Sequence, residues 1–271
     1  MSTKPLPPID LQEVIVPYLT GALTTLQPFV DSLTYFFAVV AIVSISIRYI
    51  TATDETQIQT LKWLFPTLFT MVGLVWLTSN LNEFASVIHG SLTKMGFIAA
   101  GVDEKNIAVN NPQQIFKLSI DVYMKLVGSC GTFSWYNPLL TLCAALAGFL
   151  IVISGLVLFL YVLVKTYHFK ALVLAGCVMI PPGLWIRTAT IAEDWITKVV
   201  NAGISMFMVV VFASLPLPVF EKLKVDYNLE CHPSGFLWLG GGFVVWTVIT
   251  VTMSHSFSNM VSKAITLYGS K

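Results

Sequence analysis

The feature that most constrains this chain is an apolar run from Pro138 to Val164, which contains no charged residue. A membrane-spanning helix needs about 20 mostly apolar residues, because the hydrocarbon core of a bilayer is about 30 Å thick. The run exceeds that length and ends at Lys165, where charged side chains resume. It is therefore predicted to be a transmembrane α-helix.

The composition extends this prediction to the whole chain. Hydrophobic residues make up 56% of the sequence and charged residues only 11%, whereas soluble domains carry about 25% charge. Because this many charges are too few to cover a soluble surface, the apolar excess requires lipid as its solvent. The net charge of +1 argues against a nucleic-acid-binding arm or a polybasic tail. The predicted fold class is an all-α, polytopic transmembrane helix bundle of five or six spans, with amphipathic periplasmic helices.

Apolar and polar segments divide the sequence into five regions. The first region has no basic stretch followed by an apolar one, so no cleavable signal peptide is expected. In the second region, Pro66 is predicted to lie in the first turn of its helix, where proline is tolerated. The regions are an N-terminal periplasmic segment (1–28), two transmembrane helices (29–81), a polar periplasmic loop with amphipathic helices (82–137), the C-terminal transmembrane helices (138–256) and a short cytoplasmic tail (257–271).

The number of spans depends on the short apolar segment Ala171–Ile186, which Pro181, Pro182 and Gly183 interrupt. If this segment crosses the bilayer by itself, the chain has six spans. If it dips into the bilayer and returns, or joins the next helix through the proline break, the chain has five. A helix break at membrane depth is tolerated where protein or water covers it. With five spans, the short loops that carry Lys and Arg face the cytoplasm, which favours a periplasmic N-terminus and a cytoplasmic C-terminus.

Two of the four cysteines lie in polar loops that share a face in the five-span topology. If that face is periplasmic, Cys130 and Cys231 can form a disulfide, since the periplasm is oxidising. The alternative is two unrelated thiols, and a six-span topology places the two loops on opposite faces.

Charged residues return just after the proline break, at possible membrane depth. Ionisable residues inside a membrane are costly, and they usually face a cavity or a partner. These residues are therefore predicted to contact a substrate path or a partner subunit, and the alternative is a turn at the membrane surface. They are Arg187, Glu193, Asp194, Lys198 and Asn201.

Small residues within the spans predict close helix packing rather than chemistry. Ala144 and Gly148 are four residues apart, and Gly240, Gly241 and Gly242 lie inside the last span. The sequence has no phosphate-binding loop, no His-Glu-x-x-His and no Cys-x-x-Cys. The paired carboxylates that a membrane hydrolase requires are absent, because the neighbours Glu193 and Asp194 point about 100° apart on a helix. No enzymatic activity, cofactor or metal is expected.

Three segments of the sequence form a recognisable pattern. One is Asn111-Pro112-Gln113-Gln114-Ile115, which precedes the long apolar span. The second is Pro182-Gly183-Leu184-Trp185-Ile186-Arg187-Thr188, and the third is Asn201-Ala202-Gly203-Ile204, which leads into another span. Together these segments resemble the TrbL family, also known as the family of the sixth VirB protein.

The resemblance implies a bacterial inner-membrane subunit of a type IV secretion or conjugation machine. Such a subunit forms a homo-oligomer and works with other inner-membrane subunits and cytoplasmic ATPases to move DNA or protein and to assemble a pilus. The loop 82–137 would then handle the substrate. The alternative function is a secondary transporter or small-solute channel built around a broken helix.

Overall fold

The computed structural model describes residues 11–51, 54–101, 113–129, 138–215 and 233–269. These residues are almost entirely α-helical and contain no β-strand, which confirms the predicted all-α class. Their helices are α1 (Leu11–Thr51), α2 (Asp54–Ser79), α3 (Leu81–Ala100), α4 (Gln113–Ser129), α5 (Pro138–Met179), α6 (Ala189–Ser214) and α7 (Pro233–Gly269).

Four of the described helices are long and apolar enough to cross a bilayer: Thr24–Thr51, Pro138–Met179, Ala189–Ser214 and Gly235–Val261. A fifth crossing is counted if Leu64–Ser79 and Leu81–Ala100, which meet at an angle of 82°, form one broken span. The six-span alternative finds no support here, because Ala171 belongs to α5 and only short 3-10 turns separate α5 from α6.

Helix α5 continues well beyond the predicted end of its apolar run. Its 42 residues correspond to about 63 Å at 1.5 Å per residue, roughly twice the hydrocarbon thickness. Lys165 and Lys170 mark the end of the charge-free run but not of the helix, because lysine is a good helix former. The helix ends only at Met179, two residues before Pro181, which lacks the N–H that a helix requires.

Helix α2 corrects another predicted boundary. It begins at Asp54, so Pro66 lies in the helix interior rather than in its first turn. The 82° bend between α2 and α3 falls at Asn80, whose backbone N–H and side-chain amide both donate to the carbonyl of Trp76, at 3.0 and 2.9 Å. Helix α3 ends at Ala100. The next residue, Gly101, has a φ of 66°, the left-handed conformation that commonly closes a helix.

The chain divides into two compact units. The first comprises residues 1–89 and 168–200, and the second comprises residues 90–167 and 201–271. In the first unit, the 3-10 turn between α5 and α6 packs against α1 and α2. In the second unit, α5 is the central helix, and its contacts with α4, α6 and α7 enclose two apolar clusters. One cluster contains Phe97, Ile115, Leu158, Val162, Val209, Val210 and Ala213; the other contains Val122, Leu126, Ala144, Ala147, Ile151, Phe236 and Phe243.

Candidate functional site

The strongest site candidate is the turn that joins α5 to α6 in the first unit. Two 3-10 turns, Pro181–Leu184 and Ile186–Thr188, replace the α-helical pattern. Their backbone hydrogen bonds join residues three positions apart. The Gly183 N–H donates to the Ile180 carbonyl at 2.8 Å, and the Trp185 N–H donates to the Pro182 carbonyl at 3.1 Å. Pro181, Gly183 and Leu184 are buried. The turn is therefore covered by other residues of the first unit.

Glycines allow the two arms of this hairpin to approach closely. A Cβ at position 183 would collide with the methyl group of Ala192 and lie 3.5 Å from the Leu74 Cδ1 atom of α2. A Cβ at position 176 would collide with the indole of Trp195, which is only 1% exposed. The Trp195 Nε1–H donates to the carbonyl of Leu172 at 2.7 Å. A buried aromatic anchor thus fixes the end of α5 against the start of α6.

The charged residues of the hairpin lie on its outer surface. Arg187 is exposed, and its guanidinium carbon lies 5.8 Å from the centroid of the Trp185 ring, a cation–π distance. Glu193, Asp194 and Lys198 are also exposed, on the face of α6 opposite its buried residues Ala192, Trp195 and Val199. Within the described part of the chain, neither carboxylate forms an ion pair with Lys198. This outward face is thus available to a partner or to solvent.

Asn201 belongs to the second unit, and its environment differs from that of the four charged residues. Its side chain is half-buried, and its buried Oδ1 atom accepts no hydrogen bond. One turn later, the buried Oγ atom of Ser205 also lacks a partner. The Ser254 hydroxyl of α7 lies 3.5 Å from the Ser205 carbonyl. The Ser205–Ser254 contact thus joins α6 to α7, and Asn201 lies one turn away from it on α6.

Sequence reasoning singled out no role for His89, which the structure places in the first unit. The imidazole lies on α3 with its ring centroid 5.8 Å from that of Phe169, and its buried Nε2 atom has no hydrogen-bond partner. A single histidine in an amphipathic helix has no sequence signature. Groups of three or more His, Cys, Asp or Glu side chains that could hold a metal ion do not occur in the described residues.

The family model described as TrbL/VirB6 plasmid conjugal transfer protein matches residues 38–256, which is most of the chain and includes the whole hairpin. This chain belongs to the TrbL/VirB6 family. No curated protein matches it. Membership of the TrbL/VirB6 family makes it a component of conjugal transfer or type IV secretion, and its apolar helices make it a multi-pass membrane protein.

The small residues singled out in this TrbL/VirB6 sequence have different environments. Ala144 is buried, Gly148 lies against the ring of Tyr123, and a Cβ at Gly240 would be 2.9 Å from the Ala147 Cα atom. The two glycines that follow Gly240 have open space beside them: Gly241 and Gly242. The predicted disulfide cysteines, Cys130 and Cys231, lie outside the described residues.

Proposed function

We propose that the chain is a channel or scaffold subunit of a type IV secretion machine in the bacterial inner membrane. It forms a homo-oligomer, works with other inner-membrane subunits and cytoplasmic ATPases, and helps to transfer DNA or protein and to assemble a pilus. Its N-terminus lies in the periplasm and its C-terminus in the cytoplasm. It carries out no chemical step itself.

The observation that carries this proposal is the family match over a chain whose spans leave most of their surface uncovered. Only 22–39% of the most apolar window in each candidate span is buried inside the chain. Large side chains such as Tyr35 (74% exposed), Phe69 (83%) and Trp238 (82%) face outward. Lipid and neighbouring subunits must cover such surfaces. In a membrane scaffold that assembles with partners, the bilayer covers part of this surface and the partner subunits cover the rest.

The outward charges of the hairpin are the proposed contact with substrate or partner. Arg187→Glu reverses the exposed charge beside Trp185, and it should reduce conjugal transfer by about tenfold, the scale of one lost charge-assisted contact. Arg187→Lys keeps the charge and should retain most of the transfer. Both variants should accumulate in the membrane at the wild-type level, measured by immunoblot. Unchanged transfer by Arg187→Glu would show that the hairpin face is merely an exposed turn.

Affinity purification gives an independent test of the proposed assembly. Chain extracted in mild detergent should co-purify with a secretion ATPase or with another inner-membrane subunit of the same machine. The control for Arg187→Glu is Lys62→Glu, which reverses an exposed charge on α2, outside the hairpin. Recovery of the chain alone, from cells whose transfer is active, would count against a scaffold role.

One observation favours a small-solute transporter as a second candidate function. Among the described residues of the first unit, two helix interruptions occur, at Asn80 and at Pro181. Leu74 of α2 lies beside Gly183 of the turn. Secondary transporters bind substrate between such broken helices. Purified chain in proteoliposomes that exchanged a small solute without other subunits would favour this function over the secretion role.

A further inference from the structure

Helix α4 has a charged outward face although its other face is buried. Lys117, Asp121 and Lys125 are four residues apart and form one stripe along the helix. Both lysines are exposed and Asp121 is half-buried. The opposite face is buried against other helices of the second unit and consists of Ile115, Ser119, Val122 and Leu126.

The buried face of α4 fixes its register against α5. The rings of Phe116 and Phe159 lie 6.2 Å apart, Ser119 fills the space beside Gly155, and Tyr123 fills the space beside Gly148.

In these contacts, residue numbers fall along α5 as they rise along α4, so the helices are antiparallel. Lys117 therefore stands level with about residue 157 of α5 and Lys125 with about residue 149, since antiparallel neighbours keep the same axial rise.

These levels lie inside the charge-free run Pro138–Val164, the part of the chain best suited to hydrocarbon. At the same levels, α5 presents Phe149 (60% exposed) and Val157 (42% exposed) outward. Apolar side chains such as these fit lipid, whereas exposed lysines at bilayer depth do not. The two helices thus present opposite kinds of surface at one depth.

We propose that the charged face of α4 lines a water-filled passage at bilayer depth. The inference deepens the proposed channel role and rests on it, and it moves α4 from the predicted periplasmic loop into the membrane. A second copy pressed on this face through its own α4 face is disfavoured. In a two-fold dimer whose copies are inserted in one orientation, the symmetry axis lies along the membrane normal, so Lys117 would meet Lys117 and Lys125 would meet Lys125. Water and a hydrophilic cargo are the occupants that avoid this repulsion.

Cysteine accessibility tests the passage in the full chain. In a background whose four native cysteines are replaced by serine, single cysteines are placed at Lys117 and Lys125 of α4 and at Phe149 and Val157 of α5. A charged, membrane-impermeant methanethiosulfonate is then added to membranes. The α4 positions should react at least about tenfold faster than the α5 positions, because the thiolate is the reactive form and hydrocarbon suppresses it.

Any of the following labelling or cross-linking results would overturn the proposal. Equal, rapid labelling at all four positions would place this level outside the bilayer. Absence of labelling at Lys117→Cys and Lys125→Cys, with full labelling after denaturation, would show that the face is dry. Disulfide cross-linking between copies at Lys117→Cys would show that a second copy covers it. Labelling reports water whether or not transfer occurs. A labelled passage in a chain whose deletion leaves conjugal transfer intact would reject the secretion role alone.

Discussion

At the scale of single residues, close packing at a glycine decides where large side chains can lie. Gly176 has no side chain, so the indole of Trp195 rests directly on α5 and its Nε1–H reaches the Leu172 carbonyl at 2.7 Å. A buried indole is favourable when its N–H is satisfied. Gly73 of α2, by contrast, has no atom within 4 Å of a Cβ built there.

This difference predicts that Gly176→Val destabilises the chain by about 1–3 kcal/mol, the usual cost of overpacking a buried contact. Gly73→Val is the control, because it introduces the same residue into a helix without a collision. Thermal unfolding of the detergent-purified proteins should show a lower Tm only for Gly176→Val. Equal shifts for the two variants would mean that the cost is one of helix propensity and not of packing against Trp195.

At the scale of helices, polar contacts fix α6 against α7. Trp246 Nε1–H donates to the Phe212 carbonyl at 3.1 Å, and the Ser254 hydroxyl lies 3.5 Å from the Ser205 carbonyl. The first pair links early α7 with late α6, and the second links later α7 with earlier α6, so the helices are antiparallel. Interhelical hydrogen bonds of this kind hold helices together where the hydrophobic effect is weak.

We therefore expect Trp246→Phe to lower stability by about 1 kcal/mol, because it removes the donor but keeps an aromatic ring. Trp238→Phe in the same helix is the matched control, since the Trp238 side chain is 82% exposed. Both can be measured by thermal unfolding in detergent. A Trp238→Phe effect as large as that of Trp246→Phe would exclude the hydrogen bond as the cause.

Helix α4 depends on small residues of its neighbour. A side chain at Gly155 would occupy the place of Ser119, whereas Gly128 on α4 has open space beside it. Gly155→Leu should detach α4 from α5, and hydrogen exchange over residues 113–129 should accelerate, because exposed helices open locally at low free energy. Gly128→Leu should leave the exchange unchanged. Retained protection in Gly155→Leu would mean that other contacts hold α4.

At the scale of the whole molecule, the proposed positions of the two termini require an odd number of membrane crossings. A periplasmic N-terminus and a cytoplasmic C-terminus need an odd number of crossings, whereas the four long helices alone provide an even number. In the proposed orientation, the additional crossing is either the bent pair α2–α3, counted as one span, or α4, as proposed above. The 17 residues of α4 span about 26 Å, close to the hydrocarbon thickness, and it lies antiparallel to the charge-free run of α5.

The α4 placement predicts that the two ends of this region open to opposite sides of the membrane. A single cysteine at Ala99, near the end of α3, should react with an impermeant reagent from the cytoplasmic side. One at Gly128, near the end of α4, should react from the periplasmic side. Vesicles of defined orientation separate the two sides. Labelling of both positions from the periplasm would show that the bent pair makes the crossing and that α4 lies outside.

The sequence by itself determined the class of this protein and the places where its chain turns. Long apolar runs with few charges require lipid whatever their neighbours are, and Pro181 ends a helix because it lacks an N–H; both causes are local. Family membership was also recognisable from local segments, and the match over residues 38–256 confirms it.

Only the tertiary structure decided which small residues serve as contacts and where the amphipathic helices lie. Gly240 packs on Ala147 while Gly241 faces open space, although the two are neighbours in the sequence. The position of α4 along α5 follows from Ser119 meeting Gly155, a contact between residues far apart in the chain. Such pairings depend on which surfaces meet after the helices have formed, and helical periodicity gives the direction of a face but not its partner.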